Sequence, residues 1–304
     1  MLVKSTNSLI TTFFMNNTGS KNITNKIIVA LLVATTTIVI FLPRLTERIS
    51  SLFSALTFTA TNTVTAFKSG QTTQIYSKPE QLGNGVIRSF VTLDGNKTPS
   101  KIGVTFTQEA LSNLPTTPRE YELSLPPEAS ASAFRYVVIT WNPQGYQPLG
   151  IYNSPHFDFH FYSLGAEERK KITANGDDLI KVYKAPSEKS IPTDYVPEPT
   201  NPAPGEGRHW IDSKSLEFQG LPFTKTFIYG TYNGKIVFGE PMLTKSWLET
   251  QPNFTEAIKL PEVYSKSAYY PTSYSIKYDR TQQDYTVSLN RLTFSSSKDF
   301  EDKN

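Results

Sequence analysis

Residues 227–240 read Phe-Ile-Tyr-Gly-Thr-Tyr-Asn-Gly-Lys-Ile-Val-Phe-Gly-Glu. Two β-branched and aromatic runs flank Asn233-Gly234, a pair that accepts the positive φ angles of a type I′ turn, whose twist matches that of two right-twisted strands. The stretch therefore predicts an antiparallel hairpin with strands over 223–232 and 235–240. Proline lacks a ladder donor, so Pro241 is expected to end the second strand. A second hairpin is expected from Ser273–Asp279 through Arg280–Gln283 into Asp284–Leu292.

Working outward, short alternating runs recur at 73–78, 85–93, 101–107, 119–125, 134–141, 149–162, 272–278 and 283–294, separated by Gly, Pro and Asn. Helical periodicity is confined to 107–113, 164–174 and 242–250, and no β–α alternation supports a parallel sheet. The fold class is all-β, mainly antiparallel: a sandwich or barrel-like domain with a few short peripheral helices.

The chain has 304 residues with 30 Lys and Arg against 27 Asp and Glu, a net charge of +3. That is too weak a field for nucleic acid, which is excluded as a partner. With 38% hydrophobic and 12% aromatic residues, the chain has the apolar content to build a core. The absence of cysteine excludes disulfide frameworks, thiolate metal sites and thiol nucleophiles.

The N-terminus reads as an address. Residues 1–26 are a leader carrying Lys4, Lys21 and Lys26, and 27–43 hold an uncharged apolar run ending at Pro43. At 1.5 Å per residue the run spans about 24 Å, short of a roughly 30 Å hydrocarbon core, the pattern of a signal peptide or signal anchor. Residues 44–67 are Ser/Thr-rich and read as a stalk, and 68–304 as one β-rich domain. The expected location is exported or membrane-anchored, with the N-terminal segment meeting membrane. Residues 186–206 carry six prolines and are expected to lie as an arm over the sandwich or over a second copy in a homo-oligomer.

The chain's three histidines set the candidate chemistry. In 156–162 (His-Phe-Asp-Phe-His-Phe-Tyr), strand alternation puts His156, Asp158, His160 and Tyr162 on one face and three phenylalanines on the other. With His209, and Glu240 as a weaker carboxylate candidate, the row offers ligands for a divalent transition metal: zinc, iron or manganese. Strand spacing sets about 13 Å between His156 and His160. One ion using both would need a bulge at Asp158. The alternatives are a solvated polar face with simple His–Asp hydrogen bonds, and a metal-free pocket with His160 or His209 as general base. Tyr264, Tyr269, Tyr270, Tyr274 and Tyr278 either line a groove for a sugar or peptide or cover a sheet.

The segments Pro155–Tyr162, Gly207–Asp212, Pro222–Tyr232 and Glu240–Met242 together resemble an uncharacterised family of exported bacterial β-rich proteins. Its type member is a Thermus protein of unassigned function. The resemblance covers roughly 68–294 and implies an exported β-rich domain with the histidine motifs as the site, but no activity. Three readings follow: an envelope protein binding a metal or another ligand through His156, Asp158, His160 and His209; a metal-dependent hydrolase or oxygenase using the same cluster; or an oligomeric structural module without metal.

Overall fold

The computed structural model describes residues 65–67, 72–200 and 202–297. The leader, the apolar segment and residues 44–64 of the stalk lie outside the described residues. Among those described, no helix is long and apolar enough to cross a membrane.

Among the described residues the strand ladders are antiparallel, and one isolated parallel bridge joins Ser132 to Tyr269. The first sheet runs β1 (Thr65–Phe67), β2 (Thr72–Tyr76), β4 (Gly85–Leu93), β5 (Pro99–Thr107), β16 (Asp284–Asn290), β15 (Ser273–Asp279) and β13 (Asn253–Ala257), with β3 (Glu80–Leu82) on β4. The second runs β6 (Arg119–Ser124), β7 (Tyr136–Asn142), β8 (His156–Tyr162), β12 (Lys235–Thr244), β11 (Lys225–Tyr232), β10 (Arg208–Asp212) and β9 (Tyr195–Pro197). A two-stranded ribbon joins β14 (Ala268–Tyr270) to β17 (Thr293–Ser295). These strands belong to one unit, Thr57–Asn304.

The two large sheets pack face to face as a sandwich and do not close into a barrel. Phe159 of β8 lies 6.2 Å from Phe106 of β5, which stacks on Tyr285 of β16 at 5.1 Å. Phe227 of β11 meets Tyr274 of β15 at 5.2 Å. Burying such rings supplies the main drive for sheet-on-sheet association, roughly 25 cal/mol per Å² of apolar surface removed from water.

The predicted hairpin forms, with Asn233 at φ 50° and Gly234 at φ 73°. The second hairpin forms as β15 and β16. Two expectations fail at their ends. Residues 149–155 are turn rather than strand, and β12 does not stop at Glu240 but continues through Pro241 to Thr244. The ladder between β12 and β8 accommodates the proline by an interruption: it pairs Gly239 with Phe161, omits Glu240 and Pro241, and resumes at Met242 with Asp158. The predicted helices shrink to Gln108–Leu111, Ala166–Arg169 and Lys245–Leu248.

Candidate metal centre

The alternation of β8 divides its side chains as expected, but both faces are buried. Phe157, Phe159 and Phe161 enter the sandwich core, whereas His156, Asp158, His160 and Tyr162 are 0–2% exposed on the outer face. That face is not solvated. A satellite core of Tyr152, Ile211, Phe223, Ile228 and Met242 covers one end, and the proline-rich arm covers the other. Tyr162 donates from its hydroxyl to Gly205 O at 3.1 Å, and Gly205 N donates to Ile172 O at 2.7 Å.

Strand β8 pairs with β7 without a bulge over its whole length, so the polar row splits in two. At the first end, His156 Nδ1 lies 2.6 Å from Ser154 O and Nε2 lies 3.2 Å from Asp158 Oδ1. Asn142 Nδ2 donates to Asp158 Oδ2 at 2.6 Å. Burial pulls the His156 pKa down, but the Asp158 carboxylate and the Ser154 carbonyl outweigh it and leave it raised. An imidazolium fits these neighbours. His156 and Asp158 face each other as a one-to-one ion pair, although the Nε2–Oδ1 contact does not have hydrogen-bond geometry.

The second end differs. His160 Nε2 lies 3.3 Å from Glu240 Oε2 and 3.6 Å from Glu206 Oε1. His209 Nε2 lies 3.1 Å from Glu206 Oε2, and its Nδ1 is 3.2 Å from Glu198 Oε2. Ligand atoms of His160, His209 and Glu240, drawn from β8, β10 and β12, all lie within 4.8 Å of one another, and such a group could hold a metal ion. Gly230, opposite His209, leaves the space filled by the Phe238 ring, which both imidazoles meet edge-on at 5.0 and 5.7 Å.

The electrostatics of this end are unbalanced. Glu198, Glu206, Glu240 and nearby Asp158 surround two imidazoles. Burial first, and then Asp158, raise the Glu240 pKa well above the carboxylate range, and both of its buried oxygens lack a hydrogen-bond partner. Burial, reinforced by His209 and Arg169, lowers the His160 pKa despite the opposing carboxylates, which favours a neutral imidazole, the form that ligates metals. His209 is raised far above its usual value because Glu198 and Glu206 outweigh burial. Burial would raise Glu206, but the two histidines overcome it and hold it at about 2. Metal-free, protons on Glu240 and His209 would reduce the cluster's excess of negative charge without cancelling it. A divalent cation would displace both.

Sequence reasoning placed His156, Asp158, His160, His209 and Glu240 together as candidates. The structure groups His160, His209 and Glu240 and leaves His156 and Asp158 in their own pair. It also adds two residues absent from that set, Glu198 and Glu206, both from the arm. A signal for Glu206 exists in Gly205-Glu206-Gly207-Arg208-His209. Both glycines have positive φ, and a Cβ on Gly207 would meet Thr231 O at 2.3 Å, so the chain turns back there with the carboxylate over the histidine three residues on.

Over residues 94–141 the chain is similar to a family described as "TTHB210-like: Hypothetical protein TTHB210". The match runs from the end of β4 through β7, well under half of the chain, and the histidine motifs lie outside it. No curated protein and no solved structure matches the chain.

Proposed function

We propose that this chain is a metal-binding β-sandwich protein in which His160, His209, Glu240 and Glu206 hold one divalent transition metal, zinc, iron or manganese, in a closed site. One observation carries the reading. Ligand atoms of His160, His209 and Glu240 all lie within 4.8 Å of one another, and the His160 Nε2–Glu240 Oε2 contact of 3.3 Å is near the roughly 3.4 Å edge of a tetrahedral ion with bonds of about 2.1 Å. Glu206, outside that group, reaches His160 through Oε1 at 3.6 Å and His209 through Oε2 at 3.1 Å. The surroundings support it. Glu198 sits on the far nitrogen of His209 and is itself held by the Thr200 hydroxyl at 2.7 Å, an arrangement that orients ligating imidazoles elsewhere.

Closure favours binding over turnover. The His160 and Glu240 side chains are 2% and 0% exposed, whereas catalytic metal sites keep a position open to substrate. A hydrolase or oxygenase would require Glu206, the ligand on the arm, to swing away. On this reading the ion fastens the arm to the sheet. Export or membrane anchoring is part of the proposal, supported by the basic leader and the apolar run at 27–43.

The test is elemental analysis of the purified chain after metal supplementation, beside His160→Ala and the isosteric Glu240→Gln. Near one equivalent in the wild type, lost in both variants, supports the site. Wild-type protein that stays metal-free after supplementation refutes it.

A further inference from the structure

On the other side of β12, at the rim of the sandwich, lies a cavity of about 430 Å³, within the roughly 300–1,000 Å³ of small-molecule sites. Its walls include Phe134, Phe227, Tyr229, Val263, Tyr264 and Tyr270. The rings of Tyr264 and Tyr270 stack at 3.8 Å and 23°, forming one flat wall. Tyr269, Tyr274 and Tyr278 are engaged elsewhere, packed on Phe294, bonded to Glu256 and bonded to Gln108. The tyrosine-rich stretch is therefore not one continuous groove.

The polar lining decides the ligand class. Tyr229 donates to Lys259 O and Tyr270 to Lys266 O, both at 2.9 Å. Ser163 donates to Val237 O at 3.0 Å, and Ser190 bonds Ser187 at 2.7 Å. These four hydroxyls bond within the protein, and the lining that remains is mostly apolar. What remains unmatched is charge. Lys235 and Lys266 both line the cavity, and among the described residues neither has a carboxylate within ion-pair distance. Lys235 and Lys266 are exposed. Partial burial and the nearby Arg135 guanidinium lower the Lys266 pKa, with Glu168 opposing, so an anion bound beside them would offset like charges.

We infer that this cavity binds a single-chain amphiphile, its apolar chain packed against the aromatic walls and its anionic head between Lys235 and Lys266. The inference is independent of the metal site, whose residues point from the opposite face of the sheet.

The experiment is calorimetric titration of the full chain with palmitate below its micellar concentration and with hexadecanol as the uncharged counterpart. Three variants accompany it: Lys235→Glu/Lys266→Glu, Leu260→Trp at the cavity rim, and Glu240→Gln. Circular dichroism establishes that each is folded. The expected result is one equivalent of palmitate, weakened at least tenfold by the charge reversal and by the rim tryptophan, and unchanged in Glu240→Gln. Hexadecanol affinity should be insensitive to the charge reversal. Absence of saturable palmitate binding to the wild type overturns the inference. So does equal palmitate affinity in the charge-reversed protein, or equal weakening of both ligands by that reversal.

Discussion

The two ends of the polar row on β8 hold the same residue types at the same depth, yet their chemistry differs. His156 has a carboxylate on one nitrogen and a carbonyl on the other, and Asp158 has a second donor in Asn142. At the His160 end, three acidic side chains crowd two imidazoles, and Glu240 is buried with neither oxygen hydrogen-bonded. Burial is therefore not what distinguishes a site from a core pair. Both ends hold buried atoms without a hydrogen bond; the distinction lies in charge, one carboxylate against one imidazole at the first end and three against two at the second. A balanced cluster is complete as folded, whereas an unbalanced one requires a ligand or protons.

That contrast can be broken most forcefully at its balanced end. Asp158→Ala strands His156 in a fully buried position, and removing one partner of a buried pair costs about 3–5 kcal/mol. The expected outcome is a large drop in the urea midpoint with metal still bound at the wild-type stoichiometry. Loss of metal with an intact fold would show that the two ends are one site.

Glu240→Gln probes the other end and should behave oppositely. Burial and the nearby Asp158 push the Glu240 carboxyl toward its neutral form, so the amide is expected to alter metal-free stability little. Metal-dependent stabilisation should vanish: at a free metal concentration 100-fold above Kd a single site adds about 2.7 kcal/mol. The comparison is read as melting temperature with and without zinc. A shift in the variant equal to that of the wild type would remove Glu240 from the site.

Gly207→Ala tests the arm's contribution with a smaller effect. The left-handed backbone at φ 76° and the collision with Thr231 O predict a cost of about 1–3 kcal/mol. Because the turn aims Glu206, metal affinity should fall as well. An unaltered affinity would make Glu206 a bystander.

Much of this organisation was legible beforehand, and the failures have physical causes. The alternation of β8 separates phenylalanines from histidines, and its 3.3 Å rise keeps His156 and His160 from sharing an ion. The Asn233-Gly234 turn fixes the hairpin that brings Glu240 beside β8. What alternation cannot express is what covers the outer face: a polar row reads the same under water or under an arm. Glu198 and Glu206 reach the histidines through tertiary folding of a proline-rich segment that has no strand periodicity. β9, inside the arm, and β10, which carries His209, are short and do not alternate. The extension of β12 through Pro241 contradicts the usual restriction of proline to edge strands. It coincides with the one break in the β8–β12 ladder, at the level of Glu240 and His160, as expected if local rules yield where a site is built.

Asp284 on the opposite sheet offers the mildest test, because it is a half-buried carboxylate with a single hydroxyl partner, Thr105 at 3.3 Å. Burial raises its pKa from 3.8 to about 6, with Thr105 and Arg88 opposing only in part. A carboxyl whose folded pKa is raised binds its proton more tightly in the fold than in the unfolded chain. Its contribution to stability is therefore greatest below about pH 4 and is lost as pH rises through 4 to 6. Asp284→Asn removes that titration while keeping an acceptor for Thr105, so the variant should melt higher than the wild type at pH 7 and much like it at pH 4. Coincident melting temperatures at both pH values would mean that a half-buried carboxylate is tolerated with one hydroxyl partner. The unpartnered oxygens of Glu240 would then be weaker grounds for a metal than their complete burial implies.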